Sequence, residues 1–139
     1  MVHALEEIRR TLVLDGLLFD LRPLADRWPV ELTSGLTFRE IGRVTDLPTG
    51  LADDEAANSA FEESSRQGLF RREIECTFPF YCYWDTPEEM KAYIQENWAD
   101  FIQLEENIYS SARSAWAAMG ADRRVRVKLK MILTRWRKQ

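Results

Sequence analysis

Asp20 and Arg22 stand two residues apart near the end of an apolar run, L-L-F-D-L-R, at positions 17–22. An acid and a guanidinium at the C-terminal end of a strand sit where open α/β sheets place their ligands. The same two side chains are also suited to neutralise each other or to cap their own turn. Other reactive types are scarce. His3 is the only histidine, which nearly excludes a histidine-based triad or a multi-histidine metal site. Cys76 and Cys82 fall on one predicted strand, six positions apart. At about 3.3 Å per residue their separation is roughly 20 Å, whereas a disulfide needs Cα atoms within about 7 Å. They are expected to be reduced, buried fillers, because nothing nearby in sequence would depress a thiol pKa. No metal-ligand spacing is present, so no metal site is expected.

The charge is unevenly spread. The chain of 139 residues has a net charge of −4. Its last 18 residues hold eight Lys and Arg against Asp122 alone, a local balance of +7 that leaves −11 on the rest. A basic segment of this kind can bind nucleic acid or pair with the acidic body. Pairing is the expectation here. Glu73 and Glu75 on one alternating strand can oppose Arg124, Arg126, Lys128 and Lys130 on another, and opposite charges across a strand pair stabilise by about 0.2–1 kcal/mol each. The acidic body would repel a phosphate backbone, and no aromatic platform is expected among these basic residues. Both points argue against nucleic acid.

The elements that must position these residues follow from periodicity. Leu5, Ile8 and Leu12 form one apolar helix stripe, and Gly16 suits the left-handed position just beyond the helix end. The 17–22 run is apolar on both faces, as in a parallel strand covered above and below, and Pro23 stops it. Residues 30–33 and 38–44 predict a hairpin around Ser34 and Gly35. L-P-T-G at 47–50 is punctuation. A helix over 53–68 carries Ala57, Ala60, Phe61 and Ser64 along one stripe and stops at Gly68. Residues 69–84 alternate, with Ile74, Cys76, Phe78, Phe80, Cys82 and Trp84 on one face and Pro79 marking an edge or a bend. T-P-E-E at 86–89 is a capping box, with Glu88 and Glu89 serving the helix N-terminus. The Met90–Ile102 stripe is core. Helix continues from Glu105 to Met119, and residues 123–138 form a closing strand with Val125, Val127, Leu129, Met131 and Leu133 at period two.

Length and composition fit one soluble globular domain, with 45% hydrophobic and 30% charged residues. No apolar run reaches the roughly 18 residues of a membrane span, and the opening M-V-H-A-L-E-E-I-R-R has no apolar leader core. A cytoplasmic location without membrane attachment is the expectation.

The order helix–glycine–strand, helix, long strand, helices and final antiparallel strand resembles the C-terminal half of a class I S-adenosylmethionine-dependent methyltransferase of the type 11 kind. The resemblance is carried by Leu5, Glu7, Ile8, Arg10, Leu12 and Gly16, with Leu14-Asp15-Gly16 standing where that family has a Pro-Gly-Gly turn. It is softer over F-P-F-Y-C-Y-W-D-T-P-E-E-M-K-A-Y-I at 78–94 and the closing T-R-W-R-K at 134–138. It implies an α/β fold, a partial Rossmann-like methyltransferase fold. Its small mixed sheet would hold a parallel strand, a long antiparallel pair and a hairpin, all covered by helices. It also implies an acceptor-substrate pocket beside the loop after the 17–22 strand, where Asp20, Arg22, Arg27, Trp28, Tyr83 and Trp84 are placed by position. Trp28 and Trp84 serve equally as core plugs.

In that family the methyl donor is held by a glycine-rich loop after the first strand and an acid ending the second. No G-x-G occurs in this chain, so no cofactor-binding residue carries over and no catalytic residue is assigned. The expectation is a methyltransferase-related domain without its own S-adenosylmethionine site, its 17–22 strand lacking a partner on one edge. An exposed edge of that kind invites pairing, so a homodimer is expected. A complementing N-terminal methyltransferase half would restore activity. The alternatives are a dimeric small-molecule-binding or interaction module, and nucleic-acid association through the basic strand.

Overall fold

A computed structural model of the chain describes residues 2–139, the side chain of Val2 excepted. In chain order the elements are α1 (Val2–Thr11), β1 (Leu17–Leu24), β2 (Pro29–Ser34), β3 (Thr37–Arg43), β4 (Thr45–Asp46), α2 (Pro48–Arg66), β5 (Phe70–Trp84), α3 (Pro87–Asn97), β6 (Ile102–Gln103), α4 (Glu106–Ala117) and β7 (Arg123–Lys138). Helix and strand share the chain almost evenly, so the α/β class stands, but the sheet is mainly antiparallel. Two compact units emerge. The first holds the chain up to Leu24, Ala52–Phe78 and Met131–Gln139; the second holds Ala25–Leu51 and Pro79–Lys130.

In the first unit, the amphipathic stripe of α1 and the small-residue stripe of α2 pack on one sheet face. Leu5, Ala60, Phe70 and Trp136 form the buried cluster, with Ile8, Leu12, Leu18, Phe61 and Leu69 against it. The Phe61 and Trp136 rings stack with centroids 4.8 Å apart and planes 12° apart. Small residues at Ala57, Ala60 and Ser64 let α2 approach closely, and all three are buried as their spacing predicts. The left-handed residue after α1 is Asp15, at φ 58°, not Gly16. Aspartate tolerates that conformation better than most residues. Gly16 is needed for a different reason: a Cβ there would lie 2.9 Å from the Val13 carbonyl oxygen and 3.1 Å from Leu12 Cβ.

Strand β1 departs from expectation in three ways. It runs on through Pro23 to Leu24. The only described strand that hydrogen-bonds to it is β7, and an edge strand tolerates a proline that cannot donate. Its two faces are also unequal. Leu18 packs into the core, while Leu17, Phe19 and Leu21 on the other face are 38%, 56% and 58% exposed. The doubly covered parallel strand is therefore not what forms, because α1 and α2 cover one face only. Strand β5 shows the same openness. Phe70 is buried, but Ile74, Cys76 and Phe78 are exposed, so Cys76 is no core filler.

The second unit contains the expected hairpin. β2 and β3 pair antiparallel with Ser34 opposite Thr37 and a bulge between Val30 and Glu31, and Gly35 turns the chain at φ +56°. β7 pairs antiparallel with β2, setting Val30 opposite Val127 and Leu32 opposite Val125. All four are buried. The capping box at Thr86 and Glu89 forms as its sequence predicts. L-P-T-G is not punctuation, however: Pro48 opens α2, where its missing N–H costs nothing. The short strands β4 and β6 pair antiparallel. Phe80 is 52% exposed, leaving only Tyr81, Cys82 and Trp84 of this end of β5 partly covered.

Truncating Phe70, 1% exposed at the centre of the first cluster, is expected to cost about 3–5 kcal/mol. Leu36→Ala, at a fully exposed hairpin position, should stay within about 0.5 kcal/mol. Urea denaturation of both variants checks the contrast.

Candidate functional site

Asp20 and Arg22 lie on the core-facing side of β1 in the first unit. The Arg22 guanidinium donates from Nε to Asp20 Oδ2 at 3.2 Å, from Nη1 to Asp54 Oδ1 at 3.0 Å and from Nη2 to Asn58 Oδ1 at 2.5 Å. The pair thus neutralises itself and ties β1 to α2. Beside it lies a cavity of about 280 Å³ whose walls include Asp20, Arg22, Asn58, Phe61, Thr134 and Trp136. Most of its charged groups are committed to one another: besides Asp20 and Arg22, Arg72 on its rim donates to Glu75 at 2.9 Å.

Arg27, Trp28, Tyr83 and Trp84 belong to the second unit. Arg27 sits in a left-handed turn at φ 47°, its backbone N–H donating to Asp46 Oδ2 at 3.0 Å. Trp28 is 5% exposed and meets Trp98 edge-on at 5.5 Å. Trp84 meets Tyr93 at 5.4 Å and Trp98 at 6.0 Å. The two tryptophans therefore share one aromatic cluster around Trp98, the core-plug role, stabilised by edge-to-face packing.

Tyr83 has a different neighbour. Its hydroxyl accepts from Arg126 Nη1 at 2.9 Å, while Arg126 Nε donates to Glu31 Oε2 at 2.5 Å. Glu31 is only 2% exposed and stands directly opposite Arg126 in the β2–β7 register. The guanidinium also lies over the rings of Tyr81 at 4.3 Å, Phe38 at 5.0 Å and Tyr83 at 5.7 Å. Burial works against the Arg126 charge, but its bonds to Tyr83 and Glu31 outweigh that and raise its pKa. An arginine between three aromatic faces and a buried carboxylate is held rigidly and stays charged. No aromatic platform is expected among the basic residues from sequence, yet rings from β3 and β5 reach Arg126. These rings are already engaged by Arg126.

Several cations of the basic strand are matched by acids, but not by the expected ones. Arg124 pairs with Asp85 at 3.1 Å and Lys130 with Asp26 at 3.4 Å. Glu73 belongs instead to Arg137 at 2.5 Å and Arg135 at 3.0 Å, because the register sets it beside the far end of β7. Glu75 pairs with Arg72 on its own strand. Tyr83 with Arg126 and Asp85 with Arg124 progress in opposite directions, as in an antiparallel pair. The hydrogen bond from Arg137 holds the Glu73 carboxyl below the ordinary range, with Arg135 and Arg71 adding to it. Burial pushes the Cys82 thiol up, which keeps it protonated and a poor nucleophile.

Sequence reasoning missed Glu31, Phe38, Tyr81, Asp54 and Asn58. The one available signal was Glu31 itself, an acid inside V-E-L-T in a chain ending on a basic strand. Among the described residues no three His, Cys, Asp or Glu side chains converge as a metal site, and no helix is long and apolar enough to cross a membrane. Nor does any described helix begin at an open glycine turn. The donors at the start of α3 are taken by Thr86 and Glu89, and Gly50 in the first turn of α2 faces the Phe101 carbonyl oxygen, 3.1 Å from where a Cβ would stand. Comparisons with protein-family models, curated proteins and solved structures give no match.

Arg126→Leu should destabilise by about 3–5 kcal/mol by stranding the buried Glu31 carboxylate, whereas the double variant Glu31→Leu/Arg126→Leu should recover most of that loss. A double-mutant cycle by chemical denaturation reads both. Glu73 gives a pH signature. Its folded-state pKa is depressed, so its contribution is present above the unfolded carboxylate value and fades as pH falls through the lower folded value. Acid unfolding followed by circular dichroism should lose that part of its pH dependence in Glu73→Gln.

Proposed function

We propose that this chain is a methyltransferase-related domain with no S-adenosylmethionine site of its own, that it self-associates, and that catalysis requires a complementing N-terminal polypeptide. The observation that supports this most is the condition of β1. The strand after the family-like helix–glycine unit is hydrogen-bonded by one described strand only, β7, and its outer face is open. A strand of this composition, L-L-F-D-L-R, is suited to a position inside a larger sheet. The closing strand runs beside it, with the Lys138 N–H donating to the Gly16 carbonyl at 2.9 Å.

The residues present do not fit the methyl donor. Its methionine and ribose parts need close backbone approach and a hydroxyl acceptor at the end of a strand. The positive-φ glycines here are Gly35, at a hairpin tip, and Gly68, at the end of α2, and neither leads a strand into a helix. The loop after β1, which in the resembled family borders the acceptor substrate, carries Arg27 at a fixed turn. That loop would shape an acceptor pocket once a donor-holding partner is present. No acceptor chemistry is assigned.

Isothermal titration calorimetry of the chain with S-adenosylmethionine should show no binding at micromolar concentration. Saturable micromolar binding would overturn the proposal.

A further inference from the structure

Three features of β1 bear on what covers it. The first is its edge, where among the described residues only β7 hydrogen-bonds to the strand. The second is its outer face, where Leu17, Phe19 and Leu21 are exposed at 38%, 56% and 58%. The third is its electrostatics. The outer face carries no charge, and on the other face Asp20 is paired with Arg22, which is paired in turn with Asp54. Soluble proteins guard a free edge with a lysine, a bulge or an inward charge. Between Leu17 and Leu21 there is no lysine, the one inward charge, Asp20, is neutralised by Arg22, and Pro23 lies beyond that stretch.

We propose that β1 pairs antiparallel with β1 of a second copy, with Phe19 on the twofold axis. This rests on the self-association in the reading above and not on its methyltransferase part. A closed twofold contact requires that if one residue faces another, the reverse holds as well. Same-face residues must also oppose each other, which puts a residue on the axis. Centring on Asp20 would set two carboxylates against each other. Centring on Leu21 would draw Pro23, which has no N–H, into the ladder. Centring on Phe19 sets Phe19 against its own image and Leu17 against Leu21, an all-apolar row on the open face. Leu18 then faces Asp20, whose charge is already answered by Arg22. The occupant is a copy of this chain because an uncharged, palindromic apolar row asks for no complementary charge in its partner.

Sedimentation velocity at micromolar concentration is expected to give a dimer. Phe19→Lys should shift it to monomer with an unchanged circular dichroism spectrum, since Phe19 is outside the core. In a background of Cys76→Ser and Cys82→Ser, Phe19→Cys should form a disulfide-linked dimer under mild oxidation, because residues opposed across an antiparallel pair lie within disulfide reach. Leu36→Cys, at the exposed hairpin tip, should not. A wild-type monomer, a dimer that survives Phe19→Lys, or equal cross-linking at both positions would overturn the proposal. Calorimetry with S-adenosylmethionine reads the other claim separately. A Phe19-dependent dimer that binds the donor would refute the missing donor site and leave this pairing intact.

Discussion

A guanidinium inside a sheet must be answered by a carboxylate, and the arrangement of β7 is governed by that requirement. Desolvating an unpaired charge costs several kcal/mol, so the most enclosed guanidiniums on this strand each fix a carboxylate neighbour. In the second unit Arg126 fixes Glu31 on β2 and Tyr83 on β5. In the first, Arg137 and Arg135 fix Glu73. A slip of one residue in either ladder would turn these side chains to the opposite face and leave Glu31 buried without a partner. The ion pairs add little to stability individually, but they penalise every other register. The apolar positions between them, Val125 and Val127 at full burial, supply the driving force that the charges direct.

How much of this was legible from sequence divides along a physical line. Signals confined to one turn or one alternation were readable: the Thr86–Glu89 capping box, the Ser34-Gly35 hairpin, the Ala57–Ala60–Ser64 stripe of α2 and the closing strand. Whether a strand face is covered depends on how many helices the chain brings to that face, which no strand sequence contains. L-L-F-D-L-R reads as apolar on both sides, yet its wholly apolar face, Leu17, Phe19 and Leu21, is the open one, and α1 and α2 reach the face of Leu18, Asp20 and Arg22. The same holds for β5, where alternation identified Ile74, Cys76 and Phe78 as one face but not that the face is open. Helix ends were also harder to read. Asp15 took the left-handed turn expected of Gly16, while Gly16 is required because the Val13 carbonyl and Leu12 leave no room for a side chain at position 16.

The site residues divide in the same way. Asp20 and Arg22 were visible as a pair because they are neighbours on one strand face, and their partners Asp54 and Asn58 were not, because those come from a helix more than 30 residues on. Glu31 and Arg126 are 95 positions apart and meet only through the β2–β7 register. The charge imbalance of the last 18 residues announced that pairing would occur. It did not say with whom, and Glu73 found Arg137 instead of the nearer end of the strand.

What a surface can do depends on which groups are still uncommitted once the fold is satisfied. Arg22, Arg126, Arg135 and Arg137 are each held by carboxylates. The ring faces of Tyr81 and Tyr83 are engaged by a guanidinium, and Trp28 and Trp84 are packed around Trp98. The Cys82 thiol is held protonated by burial. None of these is poised as a nucleophile or a general base. What stays uncommitted in the first unit is largely apolar: the open face of β5 at Ile74 and Phe78, and the outer face and edge of β1, where Leu17, Phe19 and Leu21 are exposed. Apolar area on that scale gains free energy only when something covers it, at about 25 cal/mol per Å², and the backbone groups along the edge offer a template for a pairing strand. Association is therefore where the physical demand of this unit points, and any chemistry the chain takes part in follows from what association completes.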